Sequence, residues 1–222
     1  MYNLIKPYLD ETLKYKVLHI SEVGSFMWQM NSSNTKGLSD HDIFVVYQQS
    51  TSEILHGKIL SRNIPCKHDI ILNGLHFDFQ FIELAHFIHL LGKGNINMIW
   101  GLTTPLMYFT QLDPIREFIE PRINQLNILP SGLGMARGNI VERKEVRTPQ
   151  KNINSAYRTL KWLSRALDNI NKFDPVEDAT IEQCEGLFET LRNLPFDYSH
   201  EEEIVESLSN GLYRYRLDDI ES

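Results

Sequence analysis

The chain has 222 residues, 42% of them hydrophobic and 23% charged, with a formal net charge of −7. That length buries a sizeable core in one large domain or two small ones. No apolar run reaches the roughly 20 residues that span a bilayer, and Met1-Tyr-Asn-Leu-Ile-Lys-Pro lacks the apolar stretch of a signal peptide. Two cysteines, Cys66 and Cys184, are too few for a disulfide framework and read as reduced, packed thiols of a cytoplasmic protein. The negative balance argues against a general nucleic-acid coat.

Tyr8, Leu9, Leu13 and Val17 recur at near-helical spacing and predict a first helix over 7–15. Val17–Val23 reads as a short strand that ends at Gly24-Ser25, and the polar stretch 31–37 reads as a loop. Ile43–Tyr47, β-branched and aromatic, predicts a buried strand, whereas Ile64–Ile71 carries only a weak strand pattern. In Leu75–Phe81, Phe77, Phe79 and Phe81 alternate with His76, Asp78 and Gln80, so one face is apolar and the other polar. From Glu83 the period turns helical through Leu91, and Gly92–Asn95 stops that helix. Short helices are expected over 96–102 and 113–119, with a break at Pro130–Gly134. Thr148 and Pro149 read as the N-cap and first residue of a long helix, whose apolar stripe runs from Ile153 to Ile170. Helices over 181–191 and 201–208 follow. The pattern predicts an α+β protein, with a strand-containing part over 1–110 and a helical region over 111–222.

Charge is uneven along the chain. Arg143, Lys144, Arg147, Lys151, Arg158, Lys161 and Arg165 fall in one stretch with a single acid, Glu145. Between Asp174 and Glu206 there are eleven acids and one base, Arg192. Either these are solvated helix faces of opposite sign, or the basic stretch lines a polyphosphate or nucleic-acid groove.

Three carboxylates occupy informative positions. Asp40 and Asp42 are two residues apart at the entry to a strand, so both emerge on one face. Asp78 stands on the polar face of another strand. Were those strands neighbours, the acids would converge and repel by roughly 4 kcal/mol at 4 Å. A shared proton or a cation must offset that. Hard oxygen ligands suit Mg²⁺ or Mn²⁺, and two such ions are a recurrent solution for phosphoryl transfer. Gly24 lets a phosphate approach the backbone, and Ser25 offers a hydroxyl and an N–H to anionic oxygens. His41, between two acids on one face, points the other way and reads as packed. His76 and Gln80 share the face of Asp78. His86 and His89, three apart, lack a third ligand nearby in sequence and read as structural. Trp28 either stacks on a base or packs. Gly132, Gly134 and Gly138 do not form a dinucleotide fingerprint, and there is no Walker loop and no Gly-x-Ser-x-Gly elbow.

Val23-Gly-Ser-Phe-Met-Trp, followed by Gly37-Leu-Ser-Asp-His-Asp-Ile-Phe-Val-Val, resembles the signature of the DNA polymerase β-like nucleotidyltransferase superfamily. The best match within it is the predicted nucleotidyltransferase family associated with RNA repair. The resemblance continues through 77–84 and 91–97, and more faintly through Lys151 and Arg158. It implies a mixed-sheet core with flanking helices that transfers a nucleoside monophosphate from a triphosphate such as ATP to an acceptor hydroxyl, releasing pyrophosphate. It makes Asp40, Asp42 and Asp78 the ligands of two Mg²⁺ or Mn²⁺ ions, with Asp78 also helping to deprotonate the acceptor. Gly24 and Ser25 would contact the triphosphate, Ser39 would brace the turn before Asp40, and Lys93, Asn95, Lys151 and Arg158 would contact nucleotide or acceptor. The sequence departs from the pattern at Trp100 and Ser155, where an acid and a histidine are expected. The basic stretch 143–165 favours an RNA or tRNA end as acceptor. The alternatives are an antitoxin-type transferase that attaches AMP to a protein, and a catalytically silent nucleotide-binding module.

Overall fold

The computed structural model describes residues 1–29, 40–56, 64–141, 149–196, 199–200 and 202–211. The expected loop at 31–37, together with Ser39, Arg143, Lys144, Arg147 and Thr148, lies outside those residues. In chain order the elements are α1 (Tyr2–Thr12), β1 (Lys16–Glu22), α2 (Gly24–Met27), β2 (His41–Gln48), α3 (Thr51–Leu55), β3 (Lys67–Leu72), β4 (Leu75–Glu83), α4 (Leu84–Gly92) and α5 (Ile96–Thr103). They continue with β5 (Met107–Thr110), α6 (Asp113–Ile119), a 3₁₀ segment (Glu120–Gln125), α7 (Ile128–Val141), α8 (Pro149–Ala166), α9 (Ile181–Arg192) and α10 over 202–211.

The alternating phenylalanines of β4 organise the sheet. Its five strands run in the order β3-β4-β2-β1-β5, with β2 and β4 parallel and the other neighbours antiparallel. The architecture is therefore α+β, as the pattern predicts, with the mixed sheet that the resemblance implies. On one face, Phe77, Phe79 and Phe81 join Ile43, Val45 and Tyr47 under Ile5, Leu9 and Leu13 of the N-terminal helix. The Tyr8 ring lies 4.8 Å from that of Phe79. On the other face, Leu18, Phe44, Val46 and Ile82 enter a cluster that also takes in α4, α5 and the helices of the second half. Helices of both halves thus cover one sheet face.

Two expectations fail for identifiable reasons. The first helix begins at Tyr2, not near Pro7, and carries that proline in its interior. Burial of Ile5 and Leu9, 0% and 1% exposed, offsets the roughly 3 kcal/mol an interior proline costs. The stretch Pro130–Gly134 is not a break but lies within α7. Pro130 sits in the first turn, where no N–H is needed. A Cβ on Gly132 would come within 2.8 Å of both Leu163 and Ile96, so the glycine lets α7 pack closely on its neighbours. The cysteines also differ from expectation: Cys184 is buried, but Cys66, just ahead of the edge strand β3, is exposed. No described helix is long and apolar enough to cross a membrane.

A polar group is buried in the middle of this layer. His19 of β1 is fully buried, and its Nε2–H donates to the Gly101 carbonyl at 2.8 Å. The Ser21 hydroxyl donates to the same oxygen at 2.6 Å. Nδ1 has no hydrogen-bond partner among the described residues. Burial pushes the imidazole pKa down to about 4, against the raising effect of the Gly101 bond. The unfolded chain therefore takes up a proton near pH 6.5 that the folded chain refuses until about pH 4. Stability falls as pH drops through that window. Urea unfolding should show a loss of about 2 kcal/mol between about pH 7 and about pH 5 that His19→Leu removes, since Ser21 still satisfies the Gly101 carbonyl.

Candidate active site

The parallel pairing of β2 with β4 sets Asp42 directly opposite Asp78. Their Cα atoms are separated by one strand spacing, about 4.8 Å, and both side chains emerge on the same face. Both residues are partly exposed. One residue earlier, His41 faces Phe77 on the opposite, apolar face. Its ring stacks between Phe26 at 4.4 Å and Phe77 at 5.0 Å, so it packs, as its position predicts.

Backbone geometry brings Gly24 to the same point. The Val23 N–H donates to the Asp42 carbonyl at 2.8 Å, extending the β1–β2 ladder by one step. Gly24 then turns with φ +66° into the four-residue α2. A Cβ there would lie 1.8 Å from Asp42 Oδ2. The carboxylate of Asp42 therefore fills the space a side chain would take, with Ser25 next in the chain and Asp78 at the facing rung of β4.

Asp78 has partners on the other side, from the edge strand. The Asp69 N–H donates to its Oδ1 at 2.9 Å, and the His68 ring lies 3.0 Å from Oδ2 through Nδ1. Partial burial pushes the Asp78 pKa up, but these two donors outweigh it and hold the carboxyl below its ordinary range. A register shift between Lys67 and Ile70, with Asp69 at φ +56°, aims both groups at Asp78. His76 lies 2.7 Å from Asp69 Oδ1. Sequence reasoning missed His68 and Asp69. The signal was Asn73-Gly74, whose φ values of 50° and 80° make the tight hairpin turn that folds β3 back on β4.

The remaining candidates are more dispersed. Asp40 is exposed, one residue ahead of β2. Lys93 is exposed in a turn whose Gly94 lies against the Asn127 backbone. Asn95 caps α5, accepting from the N–H groups of Asn97 and Met98 at 3.0 and 3.4 Å. Lys151 is exposed near the start of α8, and the Arg158 guanidinium lies over the Trp28 ring at 5.8 Å. Trp28 itself is buried, edge-on to Trp100 and Phe173, each at 5.2 Å. It packs. Lys161 and Arg165 pair with Asp174, so part of the basic stretch is neutralised within the chain. A cavity of about 620 Å³ opens beyond α2, walled by Gln29, Phe173 and Asp174, but neither Asp42 nor Asp78 lines it.

Among the described residues, no three His, Cys, Asp or Glu side chains are grouped so as to hold a metal ion by themselves. Asp42 and Asp78 are nevertheless of the donor type that a hard divalent cation takes, one or two carboxylates at a time with several waters kept.

No protein-family model matches the sequence, and no curated protein does. One solved structure that resembles the chain is of a nucleotidyltransferase-like protein from Exiguobacterium sibiricum 255-15. The two are 14% identical with a TM-score of 0.38, over 99% of this chain and 76% of that one. At that level the likeness assigns no role to any residue.

The glycines offer a direct check of this geometry. Gly24→Ala should cost about 2–4 kcal/mol in urea unfolding, from the left-handed φ and the collision with Asp42. Gly134→Ala, with nothing within 4 Å of its added Cβ and inside α7, should be neutral or gain up to about 1 kcal/mol.

Proposed function

We propose that this chain is a metal-dependent nucleotidyltransferase that moves a nucleoside monophosphate from a triphosphate to an acceptor hydroxyl. The observation that carries this reading is the placement of Asp42, pressed against Gly24 on one side and level with Asp78 on the other. A phosphate-approach glycine and a carboxylate pair at one point are what phosphoryl transfer requires of a protein: positioning and charge compensation.

The roles follow from position. Gly24 and Ser25 present backbone and hydroxyl donors to the triphosphate. Asp42 and Asp78, with Asp40 two residues before Asp42, would hold Mg²⁺ or Mn²⁺, and the cation would supply neutralisation of the charge on the departing pyrophosphate. The acceptor oxygen attacks the α-phosphorus, the bond to the pyrophosphate oxygen breaks, and Asp78 takes the hydroxyl proton. Oδ2 is the atom suited to that, because its His68 partner is 70% exposed on its side chain and displaceable. Arg158 reaches Trp28 from α8, which brings a cation of the helical half to the residue that follows α2. With exposed Lys151 on the same helix, it favours an RNA or tRNA end as acceptor.

Incubating the full chain with each labelled triphosphate, Mg²⁺ and bulk RNA tests the reading. Label in RNA with release of pyrophosphate is expected. Label in protein assigns the AMP-attaching alternative, and binding without transfer assigns the silent module. Asp42→Asn should reduce transfer by at least about 100-fold while unfolding at nearly the same urea concentration, since the amide keeps the carboxylate's shape in the space beside Gly24.

A further inference from the structure

Glu22, the last residue of β1, is 2% exposed, yet it ends in a carboxylate. Its Oε1 lies 2.7 Å from His41 Nδ1, and the Tyr108 hydroxyl donates to its Oε2. Its main chain is held as well. The Glu22 N–H donates to the Leu106 carbonyl at 2.9 Å, and the Thr104 hydroxyl donates to the Glu22 carbonyl at 3.0 Å. One buried side chain therefore joins β1, β2 and β5. Apolar packing in place of such a buried polar set is often neutral or stabilising, so stability does not account for it.

Its position does. Two residues after Glu22 comes Gly24, and His41 lies between Asp40 and Asp42. The Phe26 ring, from α2, stacks on His41 from one side and Phe77, next to Asp78, from the other. Every part of the candidate site thus has a neighbour fixed to this one carboxylate. We infer that Glu22 is a positioning residue: through His41 and Tyr108 it clamps the Gly24–Ser25 turn to the Asp40–Asp42 entry of β2, setting the geometry in which triphosphate and carboxylates meet. This rests on the nucleotidyltransferase reading of the site.

The test compares Glu22→Gln and Tyr108→Phe with a core control, Phe81→Leu, in the same apolar layer but away from the carboxylates. A glutamine fits the space but cannot accept from both partners, and Tyr108→Phe removes one bond with little change of shape. In labelled transfer, Glu22→Gln should lower kcat by about 10–100-fold with KM for triphosphate within about twofold, the loss expected of misplacement by a fraction of an ångström to an ångström. Tyr108→Phe should fall between wild type and Glu22→Gln. Phe81→Leu, even if it unfolds earlier, should keep its kcat within about twofold. Hydrogen exchange of the Val23 N–H, which bonds to the Asp42 carbonyl, should quicken at least tenfold in Glu22→Gln and not in Phe81→Leu. An unchanged kcat in both clamp variants, or a loss matched by the control, overturns the inference. A wild-type chain that transfers no label overturns the functional reading instead. The exchange rate then decides the clamp alone: unchanged Val23 protection in both Glu22→Gln and Tyr108→Phe overturns it.

Discussion

The register of β2 against β4 is the constraint on which the rest of the molecule depends. A strand's side chains alternate, so a slip of one residue would exchange its two faces. In the observed register, Ile43, Val45 and Tyr47 meet Phe79, Phe81 and Glu83, and Asp42 meets Asp78. The stacked phenylalanines, with ring centroids 5.9 and 6.0 Å apart, and the helix laid over them favour this register strongly. The placement of two acids at one rung follows from the apolar face of the same strands, which will not sit any other way. The core and the carboxylate pair are two faces of one alignment.

That dependence explains what was legible in the sequence. The alternation in β4 announced both its buried face and its acidic one, and the position of Asp42 followed from the apolar run after it. Pairing was less legible. Nothing local states that β4 lies beside β2 and not β1, because register between distant strands is settled by packing. The β3 contribution was hidden for a different reason. Its residues are mostly exposed, so only the weak strand pattern over Ile64–Ile71 and the Asn73-Gly74 turn mark it. The start of α1 ran against a proline rule that tertiary burial overrides, whereas in α7 Pro130 falls in the first turn and Gly132 serves close packing. Ser39 and the loop before it lie outside the described residues.

The helical half is more than an appendage to the sheet. Its apolar stripes enter the cluster that covers Phe44 and Val46, and its charges arrange themselves with local logic. Asp174 gathers Lys161, Arg165 and Lys172 around one carboxylate. Partial burial pushes its pKa up, and the Arg165 and Lys172 contacts outweigh that and hold it low. A charge tally along the sequence treated these residues as separate basic and acidic blocks. Folding joins the two blocks at Asp174, which pairs with Lys161 and Arg165 of the basic one.

The tryptophans add an optical consequence. The chain has three. Trp28 ends the segment that begins at Gly24, Trp100 belongs to α5, and Trp162 to α8. Trp100 stands edge-on to both others, at 5.2 Å from Trp28 and 5.6 Å from Trp162. All the indole emission of the molecule therefore originates from a single contiguous aromatic node where cradle, sheet cover and helical half meet. Indoles so close exchange excitation readily, and their ultraviolet spectra report as one chromophore. The protein carries an intrinsic gauge of how its two halves are seated, with no need of a label.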